Sequence, residues 1–121
     1  MPMASILVVE DEDEIRVMFQ SVLQAAGYHV DSVRTATAAR ACLQMRGYDL
    51  VLTDLRLGPG GDGLTIAAAA AERGVAALIV TGNAPSLSND DRRRHEVLEK
   101  PLQIDDLLEA VGRRIGASSS D

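Results

Sequence analysis

A doubly wound α/β domain, with about five parallel strands sandwiched between helices, is the fold class this sequence predicts. Three observations carry it. Short apolar runs, Ile6-Leu7-Val8-Val9, Leu50-Val51-Leu52, Leu78-Ile79-Val80 and Val97-Leu98, fit strands buried in a parallel sheet. Segments with apolar residues at helical spacing alternate with them across short joining stretches, the pattern of successive strand–helix–strand units. The runs also lead to polar groups: the first to Glu10 and Asp11, the second to Asp54, the third to Thr81, and the last through Glu99 to Lys100. In open α/β sheets ligands gather outside the carboxyl ends of the strands, so three carboxylates, a hydroxyl and an ammonium are expected at one edge.

Taken in order, Ser5 to Val9 reads as the first strand. The acidic run Glu10 to Glu14 follows, and its later members, Glu12, Asp13 and Glu14, suit the positive end of a helix dipole. Ile15, Met18, Phe19, Val22, Leu23 and Ala26 form one helix face, and Gly27 closes that helix. His29 to Val33 is a short second strand. Thr35 caps a second helix with Ala39, Cys42 and Leu43 inward, which Gly47 stops; Cys42 reads as a small core residue. The central strand runs from Leu50 to Asp54. A glycine-rich loop, Leu57 to Gly63, leads into an alanine-rich helix over Leu64 to Arg73 that Gly74 terminates, and Ala76 to Val80 is the fourth strand. From Ser86 to Arg94 the only large apolar residue is Leu87, so a helix there is short or loosely packed. Arg92-Arg93-Arg94 reads as a solvated face. Glu96 to Glu99 is a brief fifth strand, and Ile104, Leu107, Leu108, Val111 and Ile115 mark the last helix. The chain 1–121 reads as one domain, its core at about 5–116 and 117–121 a frayed tail.

A length of 121 residues suits one domain, and 46% hydrophobic content is enough for its core. Aromatics supply only 2%, so Leu, Val, Ile and Ala must build that core around Phe19, the only Phe. A formal net charge of −6 argues against nucleic acid or an anionic membrane as partner and favours a cation or a basic protein face. The single cysteine excludes an internal disulfide. No apolar stretch is long enough for a membrane span or a signal peptide, and a cytoplasmic location is expected.

A carboxylate at a strand end can attack phosphorus and form an aspartyl phosphate, provided the repulsion between anions is neutralised. Mg²⁺ does this with oxygen ligands, which Asp11 and Asp54 can supply, with Glu10 acting through water. Phosphoryl transfer then depends on positioning and electrostatics. Lys100 would hold one phosphoryl oxygen as a point charge and the Thr81 hydroxyl would bind another.

With these residues in place the sequence resembles the response-regulator receiver domain of two-component signalling, a flavodoxin-like fold. The resemblance spans about the whole chain, from Ile6-Leu7-Val8-Val9-Glu10-Asp11-Glu12 through Asp54 and Thr81-Gly82 to Lys100-Pro101; each motif is weak alone and the ordered set is specific. It implies that Asp54 accepts phosphate from a histidine kinase or histidine phosphotransfer protein. It implies that Glu10, Asp11, Asp54 and the backbone carbonyl of Arg56 organise Mg²⁺, and that the Lys100-Pro101 bond is cis. It further implies a phosphoryl acceptor with an option of self-dephosphorylation rather than an enzyme, a monomer or weak dimer, with an output partner the sequence does not name. Three features depart from the family pattern. Val97 stands where many receivers carry a switch aromatic, the interval from Thr81 to Lys100 is a few residues short, and the loop after Asp54 is long. They resemble a subgroup, stand-alone or part of hybrid kinases, with a reduced fourth helix.

Other chemistries weigh less. Gly58, Gly60 and Gly63 satisfy G-x-G-x-x-G, but Asp54, Arg56 and Leu57 intervene between strand and glycines, and the fourth strand ends in Thr81 where an acidic ribose ligand is wanted. A phosphohydrolase with an aspartyl nucleophile would want a second carboxylate where Arg56 stands. A pseudo-receiver that never accepts phosphate sits poorly with an intact Glu10, Asp11, Asp54, Thr81 and Lys100 set. His29 and His95 have no partner motif and take no role.

Overall fold

The computed structural model describes residues 3–58, 61–82 and 87–119. The elements alternate as β1 (Ser5–Val9), α1 (Asp13–Ala25), β2 (His29–Val33), α2 (Ala36–Met45), β3 (Leu50–Asp54), α3 (Gly63–Glu72), β4 (Ala76–Thr81), α4 (Asn89–Arg94), β5 (Glu96–Glu99) and α5 (Ile104–Ser119). All strand pairs are parallel, in the order β2-β1-β3-β4-β5. The expected doubly wound sheet is therefore present, and its order reverses between β1 and β3, where such sheets open a crevice for ligands.

Alternation along the strands divides the core in two. Leu7, Val9, Val51 and Ile79 join Ala39, Ile66 and Ala70 on the α2/α3 face. Ile6, Val8, Leu52, Leu78 and Val80 join Phe19, Leu23, Leu107 and Val111 on the α1/α5 face. Burying a side chain such as Phe19 or Leu23 stabilises the fold by about 2 kcal/mol. The same period of two continues into the strand ends, so Glu10, Asp54 and Lys100 fall on the α1/α5 side, whereas Thr81 falls on the side of Val97.

Helix ends follow local chemistry. Thr35 Oγ1 accepts from the Ala38 N–H at 3.1 Å, Asp62 Oδ1 from the Thr65 N–H at 3.0 Å, and Ser88 Oγ from the Asp91 N–H at 3.1 Å. Gly27 and Gly74 take left-handed backbone just beyond α1 and α3 and end them as expected. Three expectations fail. α2 stops because Arg46 turns to extended backbone, before Gly47 is reached. α5 runs to Ser119 rather than fraying after Gly116, because a glycine that keeps helical backbone weakens a helix without ending it. Met18 and Ile104, placed inward by their spacing, are 39% and 47% exposed, and Ala110 takes a core place on α5 instead. The fourth helix is short and buries no side chain, as its composition implies; among the described residues just before it, Leu87 reaches the core.

Candidate functional site

The reversal between β1 and β3 brings together residues far apart in the chain. β1 pairs with β3 up to Val9 and Thr53, so Glu10 and Asp54 leave the sheet side by side, and β4 carries Thr81 to the same edge beside Asp54. The fourth contributor, Lys100, is tied in through the main chain, where its N–H donates to the Thr81 carbonyl at 2.9 Å. Its peptide bond to Pro101 is cis, as the family resemblance implies. Asp11, Glu12, Asp54, Arg56, Thr81, Gly82 and Lys100 line an open cleft of about 470 Å³.

Lys100 Nζ lies 3.1 Å from Asp54 Oδ2 and 3.5 Å from Glu10 Oε1. The other oxygens are also engaged: Asp54 Oδ1 accepts from the Arg56 N–H at 3.3 Å, and Glu10 Oε2 from the Glu12 N–H at 3.1 Å. Glu10 has no exposed surface, so it forms a floor beneath the cleft while Asp11 and Glu12 form its wall. Burial pushes the Glu10 carboxyl up to about 7; the Glu12 N–H opposes the rise, the charge of Asp54 and a hydrogen bond with Asp11 add to it, and Lys100 opposes it. For Lys100 burial works against the ammonium, but the hydrogen bond and charge of Asp54, with Glu10 behind them, outweigh it and hold its pKa above the usual lysine value. Lys100 is thus a fixed cation at this edge.

One ammonium does not balance three carboxylates. Glu10, Asp11 and Asp54 each present an oxygen within 4.8 Å of the others, and hard oxygen donors in that arrangement suit Mg²⁺. The donor set fits that ion.

The structure thus gathers every site residue expected from the sequence and adds two. In the sequence Gly63 stands out only as the third glycine of the G-x-G-x-x-G dinucleotide-site pattern, whose Pro59 and Gly60 lie outside the described residues. Its position is fixed by packing: a Cβ there would collide with the Asp54 carbonyl oxygen and come within 3.0 Å of Leu55 Cα. The Gly63 N–H donates to the Leu55 carbonyl at 2.8 Å, so α3 begins hard against the end of β3. Thr53, fully buried, donates its hydroxyl to the Asp54 carbonyl at 2.9 Å. No local pattern marks either role.

The acidic, lysine-bearing cleft thus lies at the order reversal of a parallel α/β sheet, the place where such sheets take their ligands. The family model of the response regulator receiver domain matches residues 6–112, and the chain belongs to that family. It is a receiver domain of two-component signalling, a signalling module. It is 31% identical to the response regulator receiver protein CpdR of Brucella abortus, over 96% of this chain and 100% of that one. With the swarming motility regulation protein RssB of Serratia marcescens it shares 35% identity, over 96% of this chain but 56% of the relative. Among solved structures it is similar to the response regulator protein TrrA of Thermotoga maritima in complex with Mg(2+)-BeF, with 29% identity and a TM-score of 0.83 over 93% of this chain and 99% of that one. Among the described residues no helix is long and apolar enough to cross a membrane.

Proposed function

We propose that Asp54 is the phosphoacceptor and that Glu10, Asp11, Asp54 and the Arg56 backbone carbonyl form the Mg²⁺ site, with Thr81 and Lys100 binding phosphoryl oxygens. The observation that supports this most is the placement of three carboxylates and one ammonium at the β1/β3 reversal. An Asp54 carboxylate oxygen attacks the phosphorus of a phosphohistidine; the new O–P bond forms as the P–N bond breaks, and the imidazole leaves. Bound Mg²⁺ would supply neutralisation of the oxygens' charge during that transfer. Lys100 leaves Asp54 for a phosphoryl oxygen, a short move for an ammonium 3.1 Å away. Asp54 keeps 11% of its side chain exposed, room for a donor on one side. Self-dephosphorylation in this reading is attack by water in the same open cleft on that phosphorus, which breaks the new O–P bond, restores the Asp54 carboxylate and releases inorganic phosphate.

The donor in this reading is a histidine kinase or histidine phosphotransfer protein, met in the cytoplasm by a monomer or weak dimer. An apolar hollow of about 150 Å³, lined by Ile15, Met18, Phe19, Pro101 and Leu102 beside Lys100, supports docking next to the cleft. Neighbouring Val17 is 56% exposed.

Titration with Mg²⁺ tests the site. Amides of Asp11 and Asp54 should shift at millimolar metal, and Asp11→Ala should weaken binding at least about tenfold, in the range for loss of a metal ligand's support. Lys100 is the only lysine, so its ammonium resonance reports the cleft free of overlap. Unperturbed amides, or an Asp11→Ala chain that binds as before, would sink the assignment.

The output is assigned to the region after Gly82. With Val97 in place of an aromatic, phosphorylation acts on a segment whose helix buries nothing and whose root is Leu87. Hydrogen exchange at 87–94 is expected to be among the fastest of the described residues at rest and to slow on addition of beryllofluoride. Protection already high at rest and unchanged on activation would refute it.

A further inference from the structure

We infer that Arg16 is a positioning residue for the metal-binding loop: it fixes the backbone from which Asp11 is presented. Asp11 is exposed on the cleft wall, so the direction in which its carboxylate is presented depends on the two peptide planes that flank it. Both planes are held. The plane before Asp11 ends in the Glu10 carbonyl, which accepts from Arg16 Nη1 at 3.2 Å. The plane after it carries the Glu12 N–H, which donates to Glu10 Oε2 at 3.1 Å. With one group on each side engaged, neither dihedral of Asp11 can turn without breaking a hydrogen bond.

Arg16 can do this because it is itself held. Its side chain is only 16% exposed, and Nη2 donates to Asp13 Oδ1 at 2.7 Å, an oxygen that also lies 3.0 Å from Arg34 Nη1. The guanidinium thus bridges a carbonyl just beyond β1 and a carboxylate in the first turn of α1. Two divergent acceptors suit a planar fork better than the single point of an ammonium. Arg16 is absent from the cleft wall, so it acts through the Glu10 carbonyl and touches neither the phosphoryl group nor the ion.

This inference rests on the assignment of Asp11 as an Mg²⁺ ligand, and the experiment separates the two. In the full chain, Arg16→Met, Arg16→Lys and Asp13→Asn are compared with wild type by Mg²⁺ titration and by hydrogen exchange of the Glu12 amide without metal. Wild type that binds no Mg²⁺ at Asp11 refutes the metal assignment, while the metal-free exchange still decides the role of Arg16. Arg16→Met is expected to weaken Mg²⁺ binding about tenfold and to speed Glu12 exchange, with β1 and β3 amides unchanged. Arg16→Lys, which keeps a donor for the carbonyl, recovers part of both. Asp13→Asn leaves both within about threefold, because the carbonyl contact survives. Glu12 exchange within about twofold of wild type in Arg16→Met, an equal loss in Asp13→Asn, or faster exchange throughout β1 and β3 would overturn the assignment.

Discussion

Asp54→Asn is expected to abolish labelling by acetyl phosphate or a cognate kinase, read as the loss of the phosphoryl adduct in intact mass. The amide is nearly the shape of the carboxylate and keeps an oxygen for the Arg56 N–H, 3.3 Å away in wild type. What it lacks is the anionic oxygen that, in the proposed reaction, would attack phosphorus, and the charge that holds Lys100 at 3.1 Å. Beryllofluoride binding should vanish with it. Asp11 and Glu12, on the cleft wall, remain in the variant, so equal labelling would move the acceptor to one of them.

Gly63→Ala should destabilise the protein by about 1–3 kcal/mol, the usual cost of forcing atoms into a filled space. A chain of this size loses about 4 °C of melting temperature per kcal/mol. The obstacle is backbone, namely the Asp54 carbonyl and Leu55 Cα, and backbone at the end of a buried strand cannot swing aside as a flexible side chain can. Because that carbonyl belongs to Asp54, slower phosphorylation should accompany the loss. Gly112→Ala is the matched control. It sits in α5 where an added Cβ would meet nothing within 4 Å, and a helical glycine costs about 0.5–1 kcal/mol relative to alanine, so that change should raise the melting temperature. Equal shifts for both variants would show that only helix propensity matters at position 63.

Much of this is legible in the sequence. The apolar runs of β1, β3 and β4 are short, dense in branched residues and stopped by polar groups, and burial in a parallel sheet leaves that signature in sequence. Their carboxyl ends carry Glu10, Asp11, Asp54 and Thr81, so the chemistry can be placed at one edge from local pattern alone. Helices are less faithful. Spacing puts Met18 and Ile104 inward, yet both keep more than a third of their surface exposed, because a helix face is chosen by what it packs against and apolar residues at its margin are left outside.

By itself, then, the amino-acid order determined the elements, the strand-end carboxylates and the weak fourth helix, all of which depend on residues close together in the chain. The tertiary structure decided the rest. Only the β2-β1-β3-β4-β5 order makes Glu10 a neighbour of Asp54, and only the packing around it buries Glu10 and lifts its carboxyl to about 7. The Arg16 contact to the Glu10 carbonyl and the collision that reserves position 63 for glycine belong to the same class. Each involves a backbone carbonyl, a group that every residue carries, so no side-chain pattern in the sequence can announce it.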